Sequence, residues 1–445
     1  MPRRRTRIPL NVYLNNRLVG RLSRAGSGAI DFTYDRDWLA WEHALPVSLS
    51  LPLREDRYIG APVAAVFENL LPDSDALRIR IARHVGAAGT DAYSLLAAIG
   101  RDCVGALQFL PEPLPDDDIV RSAGKIEGEP IDERAIGAML RNLARAPLGL
   151  DEDDAFRISV AGVQEKTALL HYQGRWFKPA GTTPTTHILK PQTGQLPDGV
   201  DLSNSVENEF YCLQVLKAFG LQVNEAVVEV FDGQKVLVVE RFDRRWARDG
   251  RLLRLPQEDC CQALSVPPTL KYQNQGGPGI PDIVALLKGS DQPDADQMAF
   301  LRAQIVFWLI GATDGHAKNV SIFLTPGGRY RLTPFYDVLT AQPSLDKGQI
   351  QRKQMKLAMA VGDRNRYRID DIAGRHFIQT GARAGMAGQL VREAMSDIER
   401  QVEAALQTVE ARLPNDFPAS IHESVSTAVR ERARRLEQNA ARMSG

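Results

Sequence analysis

The sequence has 445 residues, of which 55 are Lys or Arg and 55 are Asp or Glu, so its formal net charge is zero. Hydrophobic residues make up 44% of the chain and charged residues 25%, which is typical of a folded globular protein and excludes a wholly disordered or collagen-like chain. At roughly 100–200 residues per domain, this length predicts about two to four domains. Because the charge is balanced, any contact with nucleic acid must come from local basic patches.

The cysteines and the N-terminus predict a reducing, cytoplasmic setting. Cys103 and Cys212 stand apart, Cys260 and Cys261 are adjacent, and no C-x-x-C pair exists, so the spacing indicates neither a zinc ribbon nor a disulfide framework. The basic N-terminus lacks the apolar core of a signal peptide. The most apolar stretch, residues 305–312, is far shorter than the roughly 20 residues that a membrane span requires. We therefore expect a soluble cytoplasmic protein with no membrane partner.

The first part of the chain predicts an N-terminal α/β domain, residues 1–125. Residues 12–22 alternate apolar and polar positions on both sides of Asn15-Asn16, which indicates a β-hairpin. From about residue 61 to residue 100 the apolar spacing becomes helical. Residues 111–132 are rich in Pro, Asp, Glu and Gly and are interpreted as a linker.

The middle of the chain, residues 126–250, predicts a mixed α/β lobe. Strand-like pieces occur at residues 167–171, 187–190 and 235–242, and a helical pattern occurs at residues 206–218. A succession of strand, helix and strand is the skeleton of a mixed α/β lobe.

The last part, residues 251–445, predicts a mainly helical lobe. Residues 272–293 contain a Gly- and Pro-rich string and are interpreted as a loop. The chain from about residue 370 onward is helical by composition. Before it, four apolar residues recur at i, i+4, i+7 and i+8, the spacing of a buried helical face. They are Leu301, Ile305, Trp308 and Leu309.

The segment Gly311–Asn319 carries the strongest chemical signal. Asp314 and Asn319 lie five positions apart, and Asp337 follows after an apolar stretch. Phosphoryl transfer needs a carboxylate that accepts the hydroxyl proton and oxygen ligands that hold Mg²⁺ on the phosphates. Protein kinases place an Asp, an Asn and a further Asp in this order and at this separation. The alternative is structural, because Asp-Gly is also a turn dipeptide and Asn319 could cap or end an element.

Weaker signals precede that segment in the order that a kinase would need. Lys190 ends a strand-like run and could reach nucleotide phosphates, and Glu209 on the predicted helix could pair with it, with Glu207 as the competing choice. The strand at residues 235–242 resembles one that runs into an adenine-binding hinge at residues 240–242.

A Lys-Thr dipeptide at residues 166–167 resembles the end of a P-loop. No Gly precedes the Lys, which disfavours a P-loop NTPase. The small residues Ala161 and Gly162, beside Ser159, could still place backbone N–H groups over phosphates. The lone His316 predicts no metal site, because no second histidine lies at ligand spacing.

Nine segments together resemble the HipA family, the toxin kinases of bacterial type II toxin–antitoxin modules. They span nearly the whole chain in family order and are specific as a set. They are residues 48–53, 67–74, 99–106, 156–167, 185–190, 240–246, 255–259, 311–319 and 332–337.

The resemblance implies an α+β chain with a divergent two-lobed protein-kinase-like fold, a mixed α/β N-terminal lobe and a mainly α-helical C-terminal lobe. It implies a Ser/Thr protein kinase that uses ATP and Mg²⁺, with Asp314 as the catalytic base and Asn319 and Asp337 as Mg²⁺ ligands. Ser159 matches the autophosphorylated serine, whose modification in the family expels the neighbouring loop and silences the kinase. The remaining contacts to ATP would come from Lys190, Glu240, Phe242, Val160, Ala161, Gly162 and His316.

The resemblance also implies partners. They are a small helix-turn-helix antitoxin of the HipB type, operator DNA bound through the antitoxin complex, and glutamyl-tRNA synthetase as the phosphorylated protein. Toxin activity in the family stalls translation and promotes persistence. Two basic clusters, Arg3–Arg5 and Arg364 with Arg366 and Arg368, are candidates for direct DNA contact, with solvated surface charge as the alternative.

Two other functions remain open. The chain could be a catalytically idle co-repressor scaffold in a DNA-bound toxin–antitoxin complex, or a small-molecule kinase on a similar pair of lobes. The presence of Lys190, Asp314, Asn319 and Asp337 favours an active kinase, because an inactive relative usually loses one such residue.

Overall fold

The computed structural model describes residues 9–111, 124–150, 157–162, 164–196 and 199–437. The cluster Arg3–Arg5 and most of the predicted linker therefore lie outside the described residues. The chain divides into two compact units and passes between them several times, so the domain boundaries predicted at residues 125 and 250 stay a prediction. The first unit is Met1–Pro191, Glu229–Thr269 and Ile322–Arg329, and the second is Gln192–Val228, Leu270–Ser321 and Tyr330–Gly445.

Strands and helices occur in runs along the chain. The strands are β1 (Leu10–Leu14), β2 (Arg17–Arg24), β3 (Ile30–Tyr34), β4 (Tyr58–Ile59), β5 (Leu107–Leu110), β6 (Gly128–Ile131), β7 (Thr167–Tyr172), β8 (Arg175–Pro179), β9 (His187–Pro191), β10 (Gly194–Gln195), β11 (Asp201–Leu202), β12 (Ala226–Phe231), β13 (Gln234–Glu240), β14 (Arg244–Trp246), β15 (Leu252–Arg254), β16 (Gln257–Asp259), β17 (Ser321–Thr325), β18 (Arg329–Leu332), β19 (Lys356–Val361) and β20 (Arg366–Arg368). The helices are α1 (Arg36–Leu39), α2 (Ala61–Glu68), α3 (Asp75–His84), α4 (Ala92–Ile99), α5 (Glu133–Arg141), α6 (Ser205–Ala218), α7 (Cys260–Ala263), α8 (Ile280–Leu287), α9 (Pro293–Ile310), α10 (Gln342–Asp346), α11 (Gly374–Arg383), α12 (Gly388–Glu410) and α13 (Ala419–Glu437).

The N-terminal part of the first unit is an antiparallel sheet in the order β4-β3-β2-β1-β5. The predicted hairpin is confirmed, since Asn15 and Asn16 connect β1 to β2. Their φ angles of 47° and 65° are those of a two-residue hairpin turn whose backbone matches the twist of the flanking strands. The rings of Phe32 and Phe109 each lie within 5.7 Å of the ring of Phe67 on α2. These buried aromatic contacts fix the helix on the sheet.

The second sheet of this unit has the order β12-β13-β9-β7-β8-β6. The strands predicted at residues 167–171, 187–190 and 235–242 are confirmed as β7, β9 and β13. The linker interpretation is wrong at its C-terminal end, because Gly128–Ile131 pair with β8 as the edge strand β6. A Pro within β6 is compatible with an edge position, where one side of the strand forms no ladder.

Helices dominate the second unit. The predicted buried face of α9 is confirmed, with Leu301, Ile305, Trp308 and Leu309 all inaccessible to solvent. Trp308 also donates its indole Nε1–H to the Ile369 carbonyl at 3.1 Å. The predicted helical C-terminal part is confirmed as α11, α12 and α13.

The loop predicted at residues 272–293 is wrong in its middle. Helix α8 occupies Ile280–Leu287, because four buried residues lie there at i, i+3, i+4 and i+7. They are Ile280, Ile283, Val284 and Leu287. The Gly-Pro string marks only the turn before the helix, and Pro281 stands in its first turn, where no intrahelical N–H is needed.

Cys103, Cys212, Cys260 and Cys261 are buried free thiols. Over the described ranges, no helix is both long and apolar enough to cross a bilayer.

Candidate active site

Helix α9 delivers the segment that contains Asp314. The helix ends at Gly311, which has a left-handed φ of 73°. Asp314 follows as an exposed residue, and its neighbour Gly315 leaves no room for a side chain. A Cβ atom at Gly315 would lie 2.8 Å from the Phe307 ring. Glycine therefore lets the backbone run close to the helix and turn Asp314 towards solvent.

Two side chains contact the Asp314 carboxylate. The Tyr272 hydroxyl donates to Oδ1, and the Nε2 atom of buried His316 lies 3.8 Å from the same oxygen. The rings of Tyr272 and His316 meet edge to face at 5.0 Å. Tyr272 was not predicted from the sequence, because it stands 42 residues before Asp314 in a segment without a motif. The pair orients an otherwise exposed carboxylate.

Asn319 joins the two acidic segments of this unit. Its Nδ2 group donates to the Asp314 main-chain carbonyl at 2.9 Å and to the Asp337 carbonyl at 3.5 Å. The residues predicted as base and metal ligands are thus neighbours in space. The structural alternative is partly correct, because the Asn319 side chain does bond to the backbone. Its bonds, however, link the backbone of Asp314 to the backbone of Asp337.

The backbone holds Asp337 in an unusual conformation. Its φ angle is 57°, in the left-handed region that only a few per cent of residues other than Gly adopt, with Asn and Asp the more frequent among them. On the N-terminal side, Phe335 exchanges backbone hydrogen bonds with Gln222 and Asn224. On the C-terminal side, Thr340 exchanges two hydrogen bonds of 2.8 and 2.9 Å with the Asn208 side chain. Anchors on both sides stabilise the strained residue.

The donor set of Asn319 and Asp337 fits a magnesium ion. The Asn319 amide nitrogen is committed to backbone carbonyls, so its Oδ1 atom remains as an oxygen ligand beside the half-buried Asp337 carboxylate. Mg²⁺ prefers such oxygen ligands and is usually held by one or two protein groups together with substrate phosphates. Among the described residues there is no cluster of three or more His, Cys, Asp or Glu side chains that could hold a metal.

Both candidate acidic residues of helix α6, Glu207 and Glu209, are buried. Glu207 accepts a hydrogen bond of 2.6 Å from Gln192 Nε2, and Glu209 is 2% exposed. The proposed pairing of Glu209 with Lys190 stays a prediction.

In the first unit, three of the predicted cofactor residues lie on the adjacent strands β9 and β13 and on the loop after β13. Lys190 is buried on β9, opposite Leu237 on β13. Glu240 ends β13 and is exposed, and Phe242 follows it with its ring 5.6 Å from the Phe323 ring. The β9–β13 ladder therefore fixes the lysine and the start of the predicted hinge in one frame.

The segment that contains Ser159 is docked inside the first unit. Ser159 is inaccessible to solvent, donates its hydroxyl to the Leu70 carbonyl at 2.8 Å, and donates its N–H to the Asp102 carbonyl at 2.9 Å. Gly162 forms a parallel bridge with Pro72. The neighbouring Lys166 donates Nζ–H to the Ala161 carbonyl at 2.8 Å, and Val160 is also buried. In this arrangement the Ser159 hydroxyl is not accessible to a phosphate donor.

A buried ion-pair network adjoins this segment. It was not predicted from the sequence, because Arg241 and Arg244 stand in a segment that was interpreted only as a hinge and Arg254 lies outside every motif. Asp102 accepts hydrogen bonds or ion pairs from three guanidinium groups at 2.8–3.3 Å. Asp243 forms two further ion pairs within the network. The three cations are Arg241, Arg244 and Arg254, all with side chains at most 2% exposed.

The network contains three cations and two anions, and its charges stabilise one another. Burial by itself raises the pKa of Asp102, but the guanidinium groups of Arg244, Arg254 and Arg241 outweigh burial and hold this pKa below its ordinary value. Burial, together with the charge of Arg241, lowers the pKa of Arg244 to about 10. All members are therefore charged at neutral pH, and removing one partner of such a buried pair costs about 3–5 kcal/mol.

The basic cluster in the second unit is partly neutralised. Arg366 lies 3.4 Å from Asp363 and Arg368 lies 3.8 Å from Asp371, measured between nitrogen and oxygen, while Arg364 is exposed in the turn before β20.

Comparisons with known proteins match this chain in both sequence and fold. A model of the HipA-like C-terminal domain matches residues 158–406, and a model of the HipA N-terminal domain matches residues 10–110. The putative kinase Y4mE of Sinorhizobium fredii is 34% identical over 414 residues, which cover 90% of this chain and 92% of that protein. The serine/threonine-protein kinase toxin HipA of Shewanella oneidensis is 30% identical over 372 residues, which cover 80% of this chain and 79% of that protein.

Among solved structures, the Shewanella oneidensis HipA, HipB and operator DNA complex contains a chain that matches with a TM-score of 0.76. The match has 25% sequence identity and covers 96% of this chain and 97% of that chain. The predicted α+β, kinase-like fold class is confirmed.

These matches define a protein of the serine/threonine kinase class. The chain belongs to the HipA family of kinase toxins. The family predicted from the nine segments is thereby confirmed.

Proposed function

We propose that this protein transfers the γ-phosphoryl group of ATP to a serine or threonine hydroxyl of a protein substrate, with Asp314 as the catalytic base. The observation that carries the proposal is the bridge formed by Asn319 between the main-chain carbonyls of Asp314 and Asp337. It brings an exposed carboxylate, suited to accept a hydroxyl proton, next to oxygen ligands suited to Mg²⁺. Tyr272 and His316 orient that carboxylate.

The remaining roles follow the family. Mg²⁺ would supply charge neutralisation on the transferred phosphoryl group, and Asn319 and Asp337 would hold it. Lys190 would bind phosphate oxygens, and the backbone at Glu240 and Phe242 would recognise adenine. Val160, Ala161, Gly162 and His316 would contribute further ATP contacts.

Ser159 is proposed as an autophosphorylation site. The side chain is fully buried, so modification requires the segment to leave its docked position. A phosphate adds nearly two negative charges at neutral pH. The buried site therefore disfavours return of the modified segment, which would keep the kinase silent.

The proposed setting is a cytoplasmic toxin–antitoxin module. Support comes from the match to a HipA chain solved together with HipB and operator DNA. A small helix-turn-helix antitoxin would hold this chain on its operator, and Arg364 and Arg368 are candidates for direct DNA contact. Glutamyl-tRNA synthetase is the proposed target, with growth arrest and persistence as the consequence.

The same match favours a second candidate function, that of a catalytically idle co-repressor scaffold. The intact set of Lys190, Asp314, Asn319 and Asp337 favours the kinase over the scaffold. Transfer of phosphate to small molecules would instead appear in substrate profiling.

The decisive experiment is intact-mass measurement with peptide mapping after dephosphorylated protein is incubated with Mg-ATP, in parallel with Asp314→Asn. We expect one phosphate on Ser159 in the wild type, and phosphotransfer lowered by roughly 10²–10⁴ in the variant, because the amide cannot accept the proton. ATP binding should persist in the variant, since its shape is preserved. Equal phosphorylation of both proteins would refute Asp314 as the base.

A negative result in both proteins leads to the second arm. If neither protein phosphorylates itself or a panel of proteins that includes glutamyl-tRNA synthetase, and the wild type still binds operator DNA with its antitoxin, the scaffold function replaces the kinase.

A further inference from the structure

The segment around Ser159 and the predicted hinge share one buried residue, Asp102. The main-chain carbonyl of Asp102 accepts the Ser159 N–H at 2.9 Å. Its carboxylate accepts the Thr185 N–H at 3.0 Å and the Thr185 hydroxyl at 2.7 Å, and pairs with Arg241 Nη1 at 3.3 Å. A single residue thus bonds the serine segment through its backbone and the hinge through its side chain.

Arg241 is the central residue of the hinge, between Glu240 and Phe242. Its own N–H donates to the Thr186 carbonyl at 2.8 Å, which continues the β13–β9 pairing into the hinge. Its five guanidinium N–H groups meet five acceptors inside the protein. They are Asp243 Oδ1 and Oδ2, Asp102 Oδ2, Thr185 Oγ1 and the Cys103 carbonyl.

Because these donors are all used internally, Arg241 has none left for a ligand. A cavity of about 260 Å³ borders Arg241, Arg244, His187 and Trp246, yet the N–H groups of Arg244 are likewise bonded to protein acceptors. The hydrogen bonds of Arg241 and Arg244 therefore hold the protein backbone around the hinge and do not bind a ligand.

We propose that Asp102 and Arg241 are positioning residues that couple docking of the Ser159 segment to the backbone conformation of the hinge. When the segment is docked, the Ser159 N–H bonds the Asp102 carbonyl, and the Asp102 carboxylate pairs with the Arg241 guanidinium group. The Arg241 backbone N–H then keeps its hydrogen bond to the Thr186 carbonyl. When the segment leaves, Asp102 loses its backbone partner and the hinge loosens. Adenine recognition is then lost together with the docked position of the Ser159 segment.

The inference deepens the proposed regulation and rests on the proposed function for the hinge's role in adenine recognition. The coupling itself is measurable without catalysis or nucleotide. Failure of the kinase proposal would appear as absence of phosphotransfer, whereas failure of the coupling would appear in the exchange of a backbone amide.

The test is residue-resolved hydrogen exchange of the full chain, read at the Arg241 amide. Ser159→Glu cannot keep a charged side chain in the fully buried position, so it displaces the segment. We expect exchange of the Arg241 amide to rise about tenfold or more, together with residues 157–162. Ser159→Ala, which fits the docked position, should leave the hinge amide as in the wild type.

Asp102→Asn keeps the carbonyl that bonds Ser159 but removes the charge that holds Arg241. It should raise hinge exchange without displacing the segment, and adding Ser159→Glu should raise it little further. Thr185→Val removes only a hydroxyl and should give a smaller increase. If Asp102→Asn does not fold, exchange of the Arg241 amide in Thr185→Val tests the coupling instead. Arg251→Ala, in an exposed ion pair with Asp249, is the matched control and should change nothing.

Nucleotide affinity distinguishes a positioning role from a purely structural one, because a purely structural role would leave ATP affinity and the preference for ATP over GTP unchanged in folded protein. In Thr185→Val and Asp102→Asn, we expect ATP affinity to fall about fivefold or more and the preference for ATP over GTP to shrink, at unchanged folded fraction. If Ser159→Glu raises exchange only in residues 157–162, or if hinge exchange stays at wild-type level in Thr185→Val, the coupling does not exist.

Discussion

Asn319 links the two acidic segments of the candidate site. Its amide bonds the main-chain carbonyls of Asp314 and Asp337, so one planar group holds the two backbone segments together. Tyr272 and His316 then restrict the orientation of Asp314. At the residue scale, the candidate site is thus a set of fixed hydrogen bonds around one exposed acid.

Tyr272→Phe tests the orientation of Asp314. The variant removes the hydroxyl that donates to the Asp314 carboxylate and keeps the ring contact with His316. We expect kcat to fall roughly 5- to 30-fold, equivalent to about 1–2 kcal/mol, with the KM for ATP unchanged. Steady-state kinetics measure this, with Tyr172→Phe as control. An unchanged kcat would show that the hydroxyl does not position the base.

Glu258 makes stability depend on pH. Its Oε1 atom accepts the Leu49 N–H at 2.8 Å, and burial raises its pKa from an ordinary 4.5 to about 8 against the opposing hydrogen bonds of Leu49 and Ser48. The folded state therefore binds more protons than the unfolded state between these values. The free energy of unfolding consequently falls as the pH rises towards 8.

Glu258→Gln should remove that dependence. We expect the difference in the free energy of unfolding between pH 6 and pH 9 to shrink relative to the wild type, measured by urea denaturation. Glu55→Gln, at an exposed position, should retain the wild-type difference. A wild-type slope in Glu258→Gln would place the titration on another group.

At the scale of elements, short irregular segments and not helices carry most residues of the candidate site. The 157–162 segment has no regular structure but is held by Leu70, Pro72 and Asp102 from other parts of the first unit. Gly315 likewise permits a turn that any side chain would block against Phe307. Such positions depend on backbone hydrogen bonds and close packing, which leave only weak marks in a sequence.

Ser159→Ala separates catalysis from self-inactivation. Alanine fits the buried position and loses one hydrogen bond to Leu70, at a cost of about 1 kcal/mol. We expect the initial rate on a protein substrate to be kept and the later slowing of the progress curve to disappear. Ser396→Ala, on the exposed side of α12, should slow like the wild type. If Ser159→Ala also slows in the same way, self-inactivation uses another site.

At the scale of the whole molecule, charge is balanced overall and uneven locally. The 55 basic and 55 acidic residues cancel, so attraction to DNA has to come from patches such as Arg364 and Arg368. The acidic neighbours Asp363 and Asp371 weaken the field of that cluster. We therefore expect direct DNA contact by this chain to assist the antitoxin and not to replace it.

Operator binding by the toxin–antitoxin complex tests this expectation. Arg364→Ala and Arg368→Ala should each weaken binding and reduce the dependence of log affinity on log salt by about one unit if the residue contacts a phosphate. Fluorescence anisotropy at several salt concentrations measures both quantities. Arg400→Ala, on exposed α12, should leave them unchanged. Unaltered salt dependence in the cluster variants would identify these arginines as solvated surface charge.

Several features could be predicted because they depend on local order along the chain. Periodicity revealed β1–β2, α6 and the buried face of α9, and the spacing of Asp314, Asn319 and Asp337 pointed to phosphoryl transfer. Two predictions were wrong where a Pro- and Gly-rich composition was taken to indicate a loop or linker. Pro- and Gly-rich stretches were interpreted as loops. Strand β6 nevertheless forms there because its backbone pairs with β8, and helix α8 forms because its apolar residues pack into a core.

The sequence by itself therefore determined the family, the α+β class and the types of residue available for catalysis, since motifs and apolar periods are read along the chain. Only the tertiary structure decided that Tyr272 meets Asp314, that Ser159 is inaccessible, and that Asp102 lies among three arginines. These contacts join positions 42 to 152 residues apart. Spacing along a chain cannot specify such pairs, because they exist only when packing brings distant segments together and removes water from around their charges.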